Sequence, residues 1–119
     1  MNRFKQIEES IVSFRDERDW KKFHNPKDLA ISLSIEAGEL LECFQWKTND
    51  EIDEILKSDK RVEIEDEVAD VANYLILLCN ELNIDIFEAI ERKIKKNSLK
   101  YPVSMCKGSS KKYNEYEEK

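Results

Sequence analysis

Two pairs of acidic residues, each with its members three positions apart, give the most specific chemical signal in this 119-residue sequence. Glu36 and Glu39 form the first pair, and Glu67 and Asp70 form the second. Residues three apart on an α-helix are neighbours on one face, so a helical hairpin can bring all four carboxylates together. Carboxylates at such close range repel one another unless protons or cations neutralise them. Hard oxygen ligands in this number suit Mg²⁺ or Mn²⁺.

The residues around the first pair favour a metal site. Glu36 and Glu39 lie among leucines and isoleucines, and no Lys or Arg occurs between Asp28 and Trp46 to pair with them. Burying a charge that has no partner is costly, so a cation is the simplest way to stabilise acids in this segment. Spacing alone leaves open the alternative that both acid pairs face solvent.

Other catalytic sites lack the residues that they require. A di-iron bundle needs Glu-x-x-His motifs, but the single histidine, His24, lies outside both acid-bearing segments. The scarcity of histidine also argues against Cys/His zinc sites and Ser-His-Asp catalysis, and no glycine-rich phosphate loop is present. The net charge of −6 disfavours binding to a nucleic-acid polymer.

Composition and periodicity predict an all-α fold, a four-helix bundle with a short extra helix. Two glycines and two prolines are too few turn residues for an all-β domain of this length. Apolar residues recur at helical spacing, which predicts four principal helices over about residues 3–19, 26–46, 61–82 and 86–100. One or two short helical turns are expected over about residues 51–56.

Short polar motifs predict where two helices begin. Asn25, followed by Pro26 and Asp28, is a strong helix start because Asn caps well and Pro fits the first helical position. Asp85, three residues before Glu88, has the spacing of a capping box.

The organisation expected is one helical domain over residues 1–102 followed by a polar C-terminal tail over residues 103–119. The charged run over residues 15–19 is predicted to face solvent. No apolar run approaches the roughly 20 residues needed to span a bilayer, so no membrane association is expected. Three cysteines without metal-type spacing are typical of reduced thiols and indicate a cytoplasmic protein.

A longer string of residues resembles the MazG-like all-α nucleoside triphosphate pyrophosphohydrolases. It comprises Glu36-Ala-Gly-Glu39-Leu-Leu-Glu42-Cys-Phe-Gln-Trp46-Lys47 and Glu67-Val-Ala-Asp70. The dCTP pyrophosphatase branch is the more similar, because it also has segments like Arg18-Asp19-Trp20-Lys-Lys-Phe23-His24-Asn25-Pro26, Lys100-Tyr101-Pro102 and Ser109-Ser110-Lys111-Lys112-Tyr113. The resemblance extends from Phe14 to Tyr113 in the same order. Ile35 stands where many members have another acid, a change that the dCTP branch often shares.

The resemblance implies hydrolysis of a nucleoside triphosphate, dCTP or a modified dCTP first of all, to the monophosphate and pyrophosphate, as house-cleaning of the nucleotide pool. It implies Mg²⁺, with Mn²⁺ as a substitute, bound by Glu36, Glu39, Glu67 and Asp70. Glu36 or Glu39 is the candidate base for the attacking water. Two alternatives stay open: the same chemistry on dUTP or another canonical or damaged nucleotide, and a non-catalytic helical interaction module.

Aromatic residues are the candidates for contact with the nucleobase, because bases stack on aromatic faces. The candidates are Trp20, Phe23, His24 and Trp46. The alternative is that Trp46 closes the core at a helix end and His24 is a surface residue.

Further substrate contacts follow from the resemblance. Tyr74 is a candidate for packing beside the sugar, with Asn73 next to it, and Lys47 belongs to the motif itself. The stretch similar to the family's phosphate contacts contains Lys93, Asn97, Lys100 and Tyr101. The resemblance also implies a homodimer or homotetramer and a tail that orders over the bound triphosphate.

Overall fold

Helices account for nearly all regular structure in residues 2–115, which are the residues that this computed structural model describes, and no strand occurs among them. The chain divides into one unit up to Ile84 and another from Asp85. The first unit contains α1 (Arg3–Glu17), a 3₁₀ turn (Lys21–Phe23), α2 (Pro26–Glu42), α3 (Asn49–Leu56) and α4 (Arg61–Glu81). The second contains α5 (Ile86–Lys100), α6 (Val103–Cys106) and a 3₁₀ turn (Tyr113–Glu115). The predicted all-α class is confirmed.

The packing of α2 against α4 is the most extensive helix contact in the first unit, and α1 also packs on α4. Leu29 of α2 is 1% exposed, and Ile64 and Leu77 of α4 are buried. Because apolar residues of α2 and α4 meet here, the two acid-bearing helices are held side by side.

Side-chain caps lie at the starts of α2 and α5, where the sequence predicts them. The Asn25 side-chain oxygen accepts the Asp28 backbone N–H at 2.8 Å, and Asp85 accepts that of Glu88 at 3.1 Å. A full capping box, which sequence analysis did not identify, begins α3: Thr48 accepts the Glu51 N–H while the Glu51 side chain accepts the Thr48 N–H. The cap of α3 therefore fixes the chain directly after Lys47.

Two helices end earlier than their apolar patterns predict. Helix α2 ends at Glu42, and the chain then turns through Trp46, whose φ of +65° lies in the left-handed region and cannot continue a helix. Helix α1 ends at Glu17, and Asp19 also has a positive φ, of 56°. The apolar pattern continues past the end of α2 to Trp46, but Trp46 is 92% exposed and does not extend the packed face of the helix.

The prediction that the charged run over residues 15–19 faces solvent is wrong for its first member. Arg15 is only 3% exposed. Its guanidinium pairs with acidic and amide groups of its own helix and of α4, which offsets the cost of burying the charge.

The segment predicted as a polar tail contains local helical structure where it is described. Helix α6 and the final 3₁₀ turn lie within residues 103–115, whereas residues 116–119 lie outside the described residues. The division into a domain over residues 1–102 and a tail stays a prediction. Among the described helices, none has the length and apolarity required to cross a membrane.

Replacing Asn25 with Ala removes the cap of α2, the helix that holds Glu36. We expect the free energy of unfolding to fall by about 1 kcal/mol, because the Asp28 N–H loses its acceptor. Urea denaturation monitored by circular dichroism measures the change. Lys27→Ala is the matched control, since its exposed side chain pairs with the Asp28 carboxylate at 3.8 Å and leaves the bond from the Asp28 N–H to Asn25 in place. Equal stability of the two variants would contradict a contribution from the cap.

Candidate functional site

Three of the four predicted acids meet at the contact between α2 and α4. One carboxylate oxygen from each of Glu36, Glu67 and Asp70 lies within 4.8 Å of the others. Glu67 and Asp70 share a face of α4 because they are one helical turn apart, and the packing of α2 brings Glu36 to that face. We call these three residues the acid cluster.

The carboxylates of the acid cluster repel one another. The pKa of Glu36 is raised to about 7, first by burial, then by a hydrogen bond and the charge of Glu39, and then by the charges of Asp70 and Glu67. The pKa of Glu67 is also raised, by burial first and then chiefly by Glu39 and Asp70. Negative charge at this contact is therefore unfavourable without protons or a cation.

Buried oxygen atoms in the cluster lack hydrogen-bond donors. Glu36 Oε2 and Glu67 Oε2 are both inaccessible and have no hydrogen-bond partner among the described residues. Within residues 2–115, no ion pair joins a Lys or Arg to the acid cluster. A divalent cation satisfies such oxygens directly, and an all-oxygen donor set fits Mg²⁺ or Mn²⁺.

Glu39, the fourth predicted acid, stands beside the cluster. It is exposed and outside the 4.8 Å set, but it raises the pKa of Glu36 and Glu67. Its side chain therefore faces the cluster from the α2 side while it remains open to solvent.

A cavity of about 360 Å³ opens on the Asp70 side of the cluster, and we call it the aromatic cavity. Four predicted substrate residues line it, namely Trp20, His24, Asn73 and Tyr74. Sequence analysis missed the wall that α1 and α4 add, which consists of Ile7, Ser10, Ile11, Phe14 and Leu77. The apolar spacing in α1 predicts a packed face, and only the tertiary structure reveals that part of that face is open.

A second cavity, of about 580 Å³, opens on the Glu67 side, and we call it the acidic cavity. Its walls contain Glu39, Glu67 and the predicted Lys47, together with residues that sequence analysis did not assign to a site: Glu42, Cys43, Ile55, Lys60, Glu63 and Ile64. Lys60 lies in the turn before α4, and no periodic pattern could have identified it. The acid cluster therefore contributes Asp70 to the wall of one cavity and Glu67 to the wall of the other.

Two predicted base-contacting residues do not line either cavity. Trp46 is 92% exposed and follows α2 in a left-handed conformation. Phe23 is 63% exposed in the 3₁₀ turn, with Lys22 Nζ 5.4 Å from its ring centroid. Their contact with a base stays a prediction.

The four predicted phosphate-contacting residues belong to the second unit. Lys93, Asn97 and Lys100 lie on one face of α5, and Tyr101 follows the helix. Lys100 Nζ lies 4.0 Å from the Tyr113 ring centroid, and the Tyr101 and Tyr113 rings meet edge to face at 6.2 Å. These contacts organise the end of α5, and the phosphate-binding role stays a prediction.

Comparisons with known proteins agree on one family. The MazG-like family model matches residues 31–116. The chain is 37% identical over 105 residues to dCTP pyrophosphatase 1 of Mus musculus and 39% identical over 105 residues to that of Homo sapiens. Each match covers 87% of this chain and 62% of the relative, so the chain spans less than two thirds of these relatives' length.

A solved structure is similar over nearly its whole length. The crystal structure of a pyrophosphatase from Archaeoglobus fulgidus superposes with a TM-score of 0.79 at 46% sequence identity. The match covers 86% of this chain and 94% of that chain.

The raised pKa of Glu36 predicts how stability depends on pH. Between its ordinary value of 4.5 and about 7, the folded chain holds a proton at Glu36 that the unfolded chain releases. The free energy of unfolding therefore falls as pH rises through this window. Without metal, we expect Glu36→Gln to melt at a higher temperature than wild type at pH 8, because the amide carries no charge.

Added Mg²⁺ should raise the melting temperature of wild type at pH 8 and raise that of Glu36→Gln less. Differential scanning fluorimetry at pH 5 and pH 8, with Mg²⁺ or with EDTA, measures both effects. A metal-free Glu36→Gln that is less stable than wild type at pH 8 would show that the cluster is not under repulsion.

Proposed function

Since the chain belongs to the MazG-like family, we propose that it hydrolyses a nucleoside triphosphate to the monophosphate and pyrophosphate, with dCTP or a modified dCTP as the first candidate substrate. The relatives named dCTP pyrophosphatase 1 and the similar pyrophosphatase structure support this choice. We infer a cytoplasmic activity because the three cysteines are free thiols, which persist in reducing compartments.

One observation supports the proposal most strongly: the aromatic cavity and the acidic cavity each have a member of the acid cluster in their walls, Asp70 in the first and Glu67 in the second. A nucleotide has the same order of parts, since a flat apolar base is joined through a sugar to a chain of phosphates. With the base in the aromatic cavity, the phosphates reach the acid cluster and extend toward Lys47 and Lys60.

The cluster fits a divalent cation, and Glu36, Glu67 and Asp70 are the residues that would hold it. Bound there, Mg²⁺ supplies charge neutralisation for the phosphates and polarises the bond that is cleaved. The carboxylates by themselves would repel a triphosphate, so their role in the proposed reaction is to bind the cation.

Glu39 is the better placed of the two predicted bases. Its carboxylate is exposed, stands beside Glu36 and faces the acidic cavity. In the reaction the oxygen of a water molecule bonds to the α-phosphorus and the α–β bridging bond breaks. Pyrophosphate leaves with the bridging oxygen, and Glu39 accepts the proton of the water.

The base-side residues provide stacking surface and a few polar groups. The Trp20 and Tyr74 rings offer faces for a base or sugar, and Asn73 can both donate and accept hydrogen bonds. Such rings accept any base, so preference for cytosine rests on the polar groups. The phosphate roles of α5 and the ordering of the tail over the substrate remain part of this proposal.

We also propose that the working form is a homodimer or homotetramer. Apolar side chains of α2 and the turn after it are open to solvent, with Ile35 57%, Leu41 69% and Trp46 92% exposed. A second copy of the chain would cover them, since burial of apolar surface drives association.

A panel of ribo- and deoxyribonucleoside triphosphates tests the activity. We expect pyrophosphate release that requires Mg²⁺, stops with EDTA and is fastest on dCTP or 5-methyl-dCTP. A maximum on dUTP or another nucleotide would keep the reaction and change the substrate. No release from any nucleotide would overturn the activity and favour an interaction module.

Three carboxylate-to-amide variants separate the roles of the acids. Glu67→Gln should lose Mg²⁺ binding in calorimetry and reduce kcat/KM by about a hundredfold or more. Glu65→Gln is the matched control on the same helix, since Glu65 is exposed and pairs with Arg61. Glu39→Gln should keep Mg²⁺ binding and lose turnover. Equal loss of Mg²⁺ affinity in Glu39→Gln would make Glu39 a ligand instead of the base.

The assembly is tested with Leu41→Glu. We expect sedimentation velocity to give a dimer or tetramer for wild type and a smaller species for the variant, because a carboxylate cannot be buried unpaired in an apolar contact. A wild-type monomer at working concentration would contradict the assembly.

A further inference from the structure

Arg15 occupies an unusual position, because it is the buried charged residue of the described chain, at 3% exposure. Its Nε and Nη2 both lie 2.9 Å from Asp16 Oδ1, and its Nη1 donates to Asn80 Oδ1 at 3.1 Å. The same Nη1 lies 3.5 Å from Glu81 Oε1. Two residues of α4 thus hold the guanidinium of α1.

The network continues into the segment that follows α1. Lys21 Nζ lies 3.5 Å from the same Glu81 oxygen, and the Trp20 backbone N–H donates to the Arg15 carbonyl at 3.2 Å. Lys21 begins the 3₁₀ turn between Trp20 and His24. The side chain and the backbone of Arg15, together with Glu81, therefore tie this segment to α4. We call these contacts the Arg15–Glu81 network.

The tied segment forms one wall of the aromatic cavity, and α4 forms another. Trp20 and His24 come from the segment, whereas Asn73, Tyr74 and Leu77 come from α4. Glu81 is one helical turn after Leu77. The Arg15–Glu81 network is thus the polar connection between the two walls, and it lies outside the cavity, since neither residue lines it.

His24 is in the electrostatic range of the same network. Its Nδ1 is buried without a hydrogen-bond partner among the described residues. Burial lowers the pKa of His24, Arg15 lowers it further, and Glu81 raises it. The pKa of the His24 imidazole therefore depends on the positions of the Arg15 and Glu81 charges.

We propose that Arg15 and Glu81 are positioning residues that set the spacing between the Trp20–His24 wall and the α4 wall of the aromatic cavity. They act on the ligand through Trp20 and His24 without contacting it. That the ligand is a nucleotide rests on the proposed function; the positioning of His24 does not.

The titration of His24 tests the proposal without nucleotide or metal. The chain has one histidine, so its imidazole proton signals in NMR are unambiguous once any purification tag is removed. We expect the pKa of His24 to rise toward the ordinary value of 6.5 in both Arg15→Met and Glu81→Gln, because a displaced wall exposes the imidazole to water. Lys22→Met, which breaks an exposed pair with Asp19 in the same segment, should leave it within about 0.2 units.

Glu81→Gln distinguishes positioning from an effect of charge alone. If Glu81 acted on His24 only through its charge, the variant would lower the pKa of His24, because that charge raises it. A fall in Glu81→Gln would therefore overturn the proposal. Should Arg15→Met fail to fold, Glu81→Gln decides alone: a rise in the pKa supports positioning, and a fall or no change overturns it.

Steady-state kinetics give a second readout on the nucleotide that the panel identifies. Misplacement of the cavity wall should raise KM about tenfold in Glu81→Gln and leave kcat within about twofold, because the reacting phosphates are held elsewhere. Loss of kcat at unchanged KM would overturn the proposal. If wild type hydrolyses no nucleotide, the proposed function fails. The His24 titration still tests whether the Arg15–Glu81 network positions the cavity wall.

Discussion

Repulsion among carboxylates at the contact of α2 with α4 is the constraint on which the site depends. Leu29, Ile64 and Leu77 hold the two helices together through burial, and this packing forces Glu36 against Glu67 and Asp70. The favourable burial of apolar side chains thus offsets the unfavourable approach of these carboxylates to one another. The proposed cation would convert that penalty into binding affinity, because the three acids are already close together without it.

The position of the cluster gives the site two different ends. Asp70 lines a cavity with aromatic walls, and Glu67, one turn earlier on α4, lines a cavity with carboxylates and lysines. One helical turn therefore separates an aromatic cavity wall from a wall of carboxylates and lysines. This arrangement agrees with membership of the MazG-like family.

The distribution of polar and apolar side chains in the first unit departs from the usual pattern. Arg15 is buried, whereas Leu41 and Trp46 are exposed. The buried guanidinium is tolerated because Asp16, Asn80 and Glu81 surround it with acceptors. Exposed apolar residues have no such compensation within one chain, and they are the physical basis of the proposal that several copies assemble.

The sequence by itself determined the helical class, the caps at Asn25 and Asp85 and the pairing of acids at a spacing of three, because caps and helical faces depend on residues close in the chain. The resemblance added the family. Only the tertiary structure decided that Arg15 is buried, that α2 ends before Trp46 and that Lys60 joins Glu67 at one cavity. These outcomes depend on contacts between residues far apart in sequence, such as Arg15 with Glu81, and a pattern read along one helix contains no information about the partner that the helix meets.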